Sequence, residues 1–272
     1  ALMSSILQVE GGHPLRGEIT VRGAKNFVPK AMVASLLADT PSELYNVPLI
    51  RDTDVVSDLL SLHGVQIDFD QDRGTLRMDP SNVKIASRSD IDTLAGASRI
   101  PILFCGPLLH QLGEAFIPEL GGCAIGGRPI DFHLETLRKF GAIVDKQPDG
   151  VHIKRPASGL HGAIIELPFP SVGATEQTLL TAVRNEGITT LKGAAIEPEI
   201  LDLINVLQKM GAIISVDTDR TIHVEGVDEL CGYTHSALPD RIEAASWASA
   251  ALATRGDVFV RGAHQSHMTT FL

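Results

Sequence analysis

The sequence predicts an α/β fold made from one supersecondary unit, α-β-α-β-β, repeated along the chain. Three observations predict it. Apolar residues at helical spacing run into a glycine three times, at Leu59 to Gly64, Leu134 to Gly141 and Leu203 to Gly211, and these glycines stand 77 and 70 residues apart. Each glycine is the expected left-handed stop past a helix, and alternating β-branched residues follow it. Each of those strands then meets a turn, at Asp72-Arg73-Gly74, Pro148-Asp149-Gly150 or Asp217-Thr218-Asp219-Arg220, and returns as a hairpin.

The elements before those helices repeat as well. Apolar helices are predicted over Asn26 to Ala38, Arg99 to Gln111, Thr175 to Val183 and Ile242 to Thr254. Short strands follow them at Glu43 to Val47, Glu114 to Ile117, Ile188 to Leu191 and Asp257 to Val260. Three units are complete, and a fourth starts near Asp240 and reaches Leu272 partway into its second helix. An N-terminal hairpin, Ile6 to Val9 with Gly17 to Val21, precedes the first unit and is expected to complete the sheet of the last domain. The boundaries are placed at 1–21 for this hairpin, 22–231 for the three complete repeats and 232–272 for the partial domain.

Composition narrows the function. The chain has 272 residues, 44% hydrophobic and 21% charged, which suits a globular protein with substantial cores. No apolar run approaches the roughly 18 residues that span a bilayer, and the first residues carry neither the basic region nor the cleavage site of a signal peptide. Cys105, Cys123 and Cys231 are odd in number and far apart, as in a reducing compartment, so the expected location is cytoplasmic. No Cys/His spacing suggests a metal. A net charge of −10 with 4% aromatic residues argues against nucleic acid as a partner. An anionic ligand would need a local pocket of Lys and Arg.

The stretch Gly121-Gly122-Cys123-Ala124-Ile125-Gly126-Gly127-Arg128-Pro129-Ile130-Asp131 sets one cysteine among four glycines, just before an arginine. Such a loop can present a thiol to a ligand or move it over one. The nucleotide-loop pattern is excluded, because Gly127-Arg128 stands where Lys-Ser/Thr would follow. On the residues alone, Cys123 is either a reactive thiol or a small buried hydrophobe, and the latter is the reading for Cys105, inside Ile102-Leu103-Phe104.

With this loop, Gly23-Ala24-Lys25-Asn26, Arg99 with Gly106-Pro107-Leu108, Pro170-Ser171-Val172-Gly173-Ala174-Thr175-Glu176, Glu197-Pro198-Glu199 and Pro239-Asp240-Arg241-Ile242-Glu243, the chain resembles the enolpyruvyl transferases along its whole length. Within them it is most similar to the members that act on an amino-sugar nucleotide. The resemblance implies two inside-out α/β barrels of three repeats each, of which this chain would hold one complete barrel and part of the second. It implies transfer of the enolpyruvyl group of phosphoenolpyruvate to the 3'-hydroxyl of UDP-N-acetylglucosamine, with no metal or redox cofactor.

The same resemblance assigns residues. Cys123 would be the general acid that protonates C3 of phosphoenolpyruvate, a task that a thiol of pKa about 8.5 can perform, and the site of inactivation by fosfomycin. Lys25, Asn26 and Arg128 would hold phosphoenolpyruvate. Arg99, Arg128, Pro129, Ile130, Asp131, Phe132, Ser171, Val172 and Gly173 would hold UDP-N-acetylglucosamine. Lys25 and Asn26 are placed at the opening of the first helix, where N–H groups and the dipole favour an anion. A lysine there is otherwise a solvated charge, and Asp131 is otherwise a helix cap, as Asp54 would be in the first unit. The lysine found before Ser171 in some members is absent from Leu167-Pro168-Phe169-Pro170. The family's catalytic aspartate and a further arginine would lie beyond residue 272, so the chain alone is expected to turn over poorly. Three rivals stand beside this reading: an enolpyruvyl transferase with another acceptor, such as shikimate 3-phosphate, a non-catalytic paralogue, and a cysteine hydrolase. The last lacks a His and Asp in recognisable relation to Cys123.

Overall fold

The computed structural model describes residues 10–96, 98–119 and 130–263. The elements run β1 (Arg16–Thr20), α1 (Val28–Ala34, prolonged by a 3-10 turn Ser35–Leu37), β2 (Ser42–Tyr45), α2 (Arg51–Leu62), β3 (Gln66–Asp70), β4 (Thr75–Asp79) and α3 (Arg88–Ala95). A 3-10 turn Ile100–Phe104 leads into α4 (Cys105–Leu112), then β5 (Glu114–Pro118), α5 (Ile130–Lys139), β6 (Ile143–Gln147), β7 (Gly150–Lys154) and β8 (Ile164–Glu166). The rest are α6 (Val172–Ala182), β9 (Ile188–Lys192), α7 (Pro198–Lys209), β10 (Ile213–Val216), β11 (Ile222–Glu225), β12 (Thr234–Ser236), α8 (Arg241–Thr254) and β13 (Asp257–Arg261).

Two compact units result, residues 23–238 and residues 1–22 with 239–272. In the larger unit α1, α4 and α6 begin the three successive copies, and they are apolar or buried nearly all round, as befits helices inside a core. α2, α5 and α7 bury one stripe and expose the other face. Gly64, Gly141 and Gly211, with φ of +89°, +98° and +108°, turn the chain after those helices in a backbone region that a Cβ disfavours. α4 and α6 approach so closely that a Cβ on Gly106 would collide with Thr181 Oγ1. Gly106→Ala is therefore expected to lower the stability of the chain by about 1–3 kcal/mol, read from urea denaturation.

The expected inside-out barrels are not formed. The strands make four separate open sheets, in the orders β1-β13, β12-β2-β4-β3, β5-β7-β6 and β10-β11-β9-β8. Three of them hold antiparallel pairs, and two of those also hold a parallel one. Among the described residues no strand of one sheet bonds to another sheet, so each keeps two edges. The pairing is nonetheless not local to each copy. β8, which follows the second hairpin, joins β9 of the next copy, and β12, which follows the third, joins β2 of the first.

The smaller unit pairs β1 with β13 in parallel, Arg16 opposite Asp257 through Thr20 opposite Arg261. Val21, Ala244 and Ala245 are buried there, with Val260 against them. The first strand of the expected N-terminal hairpin, Ile6 to Val9, lies outside the described residues. α8 is capped by Asp240, whose side chain accepts from the N–H of Ile242 and Glu243. Among the described residues no helix is long and apolar enough to cross a membrane.

Candidate functional site in the larger unit

Lys25 and Asn26 sit on an exposed turn before α1, not in its first turn. Pro29 explains the later start: as the fourth residue of a helix opening at Asn26, it would offer no N–H to the Lys25 carbonyl. The N–H groups of Phe27 and Val28 are both bonded to the Ala24 carbonyl at 3.0 Å, so they are not available to a ligand. The turn is held from below by Lys30, whose Nζ donates to the Asn26 carbonyl at 2.9 Å. The same ammonium stands 3.6 Å from Glu176 Oε2 on α6. Burial pushes the Glu176 carboxyl up to about 7, against the pull of Lys30.

The first turn of α6 carries three of the candidate residues. Ser171 is its N-cap, accepting from Ala174 N–H at 3.3 Å, and Val172 and Gly173 are its first two residues. Thr175 locks the turn: its hydroxyl donates to the Ser171 carbonyl and accepts from Ala195 N–H. The first turn of α5 carries Ile130, Asp131 and Phe132, and α5 packs on α6. A Cβ on Gly173 would lie 3.4 Å from His133 Nε2, so Gly173 is the point where the two helix starts meet. Asp131 is the second residue of α5, and its carboxylate pairs with Lys146 at 3.3 Å. Asp54 likewise lies inside the first turn of α2, where Ile50 is the cap position.

His133 has a buried Nδ1 without a hydrogen-bond partner, and burial pushes its pKa down to about 4. It stays neutral in the folded chain while the unfolded chain takes up a proton below about 6.5. Its contribution to stability is therefore present above pH 6.5 and lost as the pH falls toward 4. His133→Gln is expected to reduce the stability lost between pH 7 and pH 4.5 by about 2 kcal/mol, measured by urea denaturation at both values.

Arg99 precedes the 3-10 turn Ile100–Phe104 and lines a cavity of about 390 Å³ with Pro29, Lys30, Arg51, Asp52, Val55, Ser98 and Ile100. Three cations and one carboxylate thus share its wall. Lys30 belongs at once to this cavity, to the turn of Lys25 and Asn26 and, through Glu176, to α6. The described candidates Asn26, Arg99, Ser171, Val172 and Gly173 are linked in this way, with Ile130, Asp131 and Phe132 beside Gly173. Cys123, Arg128 and Pro129 lie outside the described residues. Lys30, Arg51 and Glu176 carried no role in the sequence reading. The available signal was a carboxylate inside the otherwise uncharged helix Val172–Ala182. Cys105 is buried, and its thiol is pushed up by that burial. Among the described residues no cluster of His, Cys, Asp and Glu could hold a metal ion.

The fold and this site define a class: a repetitive α/β protein in which helix starts and cationic side chains gather where an anionic ligand can be held. The family model for EPSP synthase (3-phosphoshikimate 1-carboxyvinyltransferase) matches residues 9–272, and the chain belongs to that family. Among curated relatives, the UDP-N-acetylglucosamine 1-carboxyvinyltransferase of Protochlamydia amoebophila is 43% identical over 98% of this chain and 58% of its own length. That of Acidiphilium cryptum is 45% identical over 94% of this chain and 60% of its own length. The chain thus spans about three fifths of the relatives it matches. Two solved structures share the fold. The enolpyruvyl transferase NikO from Streptomyces tendae superimposes with a TM-score of 0.76 at 22% identity, over 87% of this chain and 55% of its own. EPSP synthase from Acinetobacter baumannii gives 0.68 at 19%, over 86% and 52%.

Proposed function

We propose that the protein transfers the enolpyruvyl group of phosphoenolpyruvate to the 3'-hydroxyl of UDP-N-acetylglucosamine and releases phosphate, the first committed step of peptidoglycan precursor synthesis, in the cytoplasm. The observation that supports it most is that relatives bearing the name of this activity match nearly the whole of this chain at more than two fifths identity. Lys25, Asn26 and Arg128 hold phosphoenolpyruvate in this reading. Arg99, Arg128, Pro129 and the helix starts at Ile130 to Phe132 and Ser171 to Gly173 hold the sugar nucleotide. Lys30 joins the turn before α1 to the cavity beside Arg99, which supports a reading with the two ligands side by side.

The chemistry is an addition followed by an elimination. The Cys123 thiol gives a proton to C3 of phosphoenolpyruvate while the 3'-oxygen forms a bond to C2 and loses its own proton to water. The tetrahedral adduct then returns a proton from C3 to the Cys123 thiolate, the C2–O bond to the phosphoryl group breaks, and phosphate leaves with that electron pair and takes up the proton first lost to water. Nothing is oxidised or reduced, so no electron carrier is required. Cations matter because both ligands are anionic and guanidinium groups match phosphate oxygens in pairs.

The test is phosphate release from phosphoenolpyruvate with and without UDP-N-acetylglucosamine, together with calorimetric binding of each ligand. Release or binding that requires the sugar nucleotide supports the reading. Shikimate 3-phosphate is the competing acceptor, favoured by the name of the matching family model. A chain that binds shikimate 3-phosphate and ignores UDP-N-acetylglucosamine would overturn the assignment in favour of that acceptor.

A further inference from the structure

The unassigned part of the site is the lining that the cavity shares with Arg99. Lys30 is held there in an unusual position, because its side chain is largely buried, its ammonium meets the Asn26 carbonyl and Glu176, and the residue also lines the cavity. Arg51 on α2 adds a second cation to the same wall, and Asp52 beside it is the one carboxylate of the lining. A buried carboxylate opposite a lysine normally neutralises it. Here the counter-charge comes from outside the cavity, which leaves the ammonium able to serve an incoming anion as well.

We propose that Lys30, with Arg51 and Arg99, forms an anion subsite for a phosphoryl or carboxylate group of the substrate, and that Glu176 is the proton-accepting counter-charge behind it. The subsite rests on the functional reading above for the identity of its ligand. When an anion sits on Lys30, the Glu176 carboxylate faces a second negative charge across one shared cation, and it relieves the repulsion by taking a proton from solvent. Ligand binding and protonation of Glu176 are then linked. The charged groups of the surrounding elements leave this exchange to the pair. α1 brings Lys30, and α6 carries no other charge. α4 brings His110, bonded to the Thr181 carbonyl, α5 brings His133, against Gly173, and α7 brings Asp202, bonded to His235. Of these, only Lys30 acts on the Glu176 carboxyl, which titrates near neutrality.

The two phosphates of UDP-N-acetylglucosamine exchange no proton near pH 7, so it is the probe for the linkage, and phosphoenolpyruvate is the second arm. Calorimetric titrations of the chain at pH 7 in buffers of different ionisation enthalpy count the protons taken up on binding. The expected result with whichever ligand occupies the subsite is weaker binding by about tenfold in Lys30→Met. With UDP-N-acetylglucosamine the wild type should take up about half a proton, and Glu176→Gln should bind with no uptake. A Lys30→Met/Glu176→Gln double variant removes both charges, so that a loss of affinity is not the effect of a stranded carboxylate; its melting temperature reports the fold. The arm whose affinity Lys30→Met lowers identifies the ligand in the subsite.

If the wild type binds neither ligand, the functional reading fails and takes the subsite with it. If it binds either ligand and the double variant leaves both affinities unchanged, the subsite alone fails, whatever Lys30→Met does by itself. If UDP-N-acetylglucosamine is the ligand affected and Glu176→Gln retains the proton uptake, the role of Glu176 is overturned.

Discussion

Under the proposed function, Cys123→Ala is expected to lower whatever phosphate release depends on UDP-N-acetylglucosamine by about 10²–10⁴-fold, the range of a lost general acid. The argument is chemical. C3 of phosphoenolpyruvate is a carbon base, and protonating it needs an acid that is mostly protonated at pH 7 yet gives up its proton readily, as a thiol near its ordinary pKa of about 8.5 does. Since the proton moves only as the transition state forms, kcat should fall while the KM of each substrate changes little. In that proposal the same thiol is the nucleophile that an epoxide phosphonate would alkylate. Intact-mass measurement after exposure to fosfomycin should show an adduct on the wild type and none on Cys123→Ala. An adduct that persists in the variant would place the reactive thiol at Cys105 or Cys231. Cys105 is buried, and Cys231 is exposed.

His235→Ala is expected to cost about 3 kcal/mol and to lower the melting temperature by roughly 10 °C. His235 Nε2 donates to Asp202 Oδ1 at 2.8 Å, and both side chains are about 95% covered. Lys209 Nζ lies 2.8 Å from the other ring nitrogen, which fixes the tautomer with the proton on Nε2. Without the imidazole, Asp202 is left as a buried carboxylate whose Oδ2 already lacks a hydrogen-bond partner. The ring also packs 5.7 Å from Phe27, the residue after Lys25 and Asn26. The loss should therefore weaken ligand binding at that turn as well as stability. Thermal denaturation and calorimetric binding measure the two effects separately. A variant that melts within about 2 °C of wild type would show that Asp202 is accommodated in another way.

The repeat was legible because its punctuation is local. A glycine in the left-handed region after an apolar helix, followed by alternation and a turn, needs no tertiary information, and Gly64, Gly141 and Gly211 carry it. α3 was missed although Ser87 caps it, because its apolar stripe, Ile91, Leu94 and Ala95, is only one turn long. β8 and β12 were missed for a different reason. Each is three residues long and pairs in parallel with a partner distant in sequence, so nothing local marks it as a strand. The open sheets follow from those same pairings, which a count of repeats does not determine. In the site, the helix starts at Ile130 and Ser171 were identifiable through resemblance. Lys30 was not, since its meaning comes from Glu176 on another helix. Glu176, Gln177 and Thr178 are all buried in α6, so polarity there gives a false outline of its exposed face.

The pairing of β12 with β2 also sets a timetable. Ser42 accepts from Tyr233 N–H across a sequence separation of 191 residues, and Thr234, His235 and Ser236 then run beside Glu43, Leu44 and Tyr45. A ribosome that has already released the first copy must translate the other two before the outer edge of β2 gains its neighbour. Until then the nascent sheet offers unpaired backbone to any passing strand, and closure of so long a loop makes its arrival late. A chain stalled before residue 234 is therefore the species most exposed to misassembly.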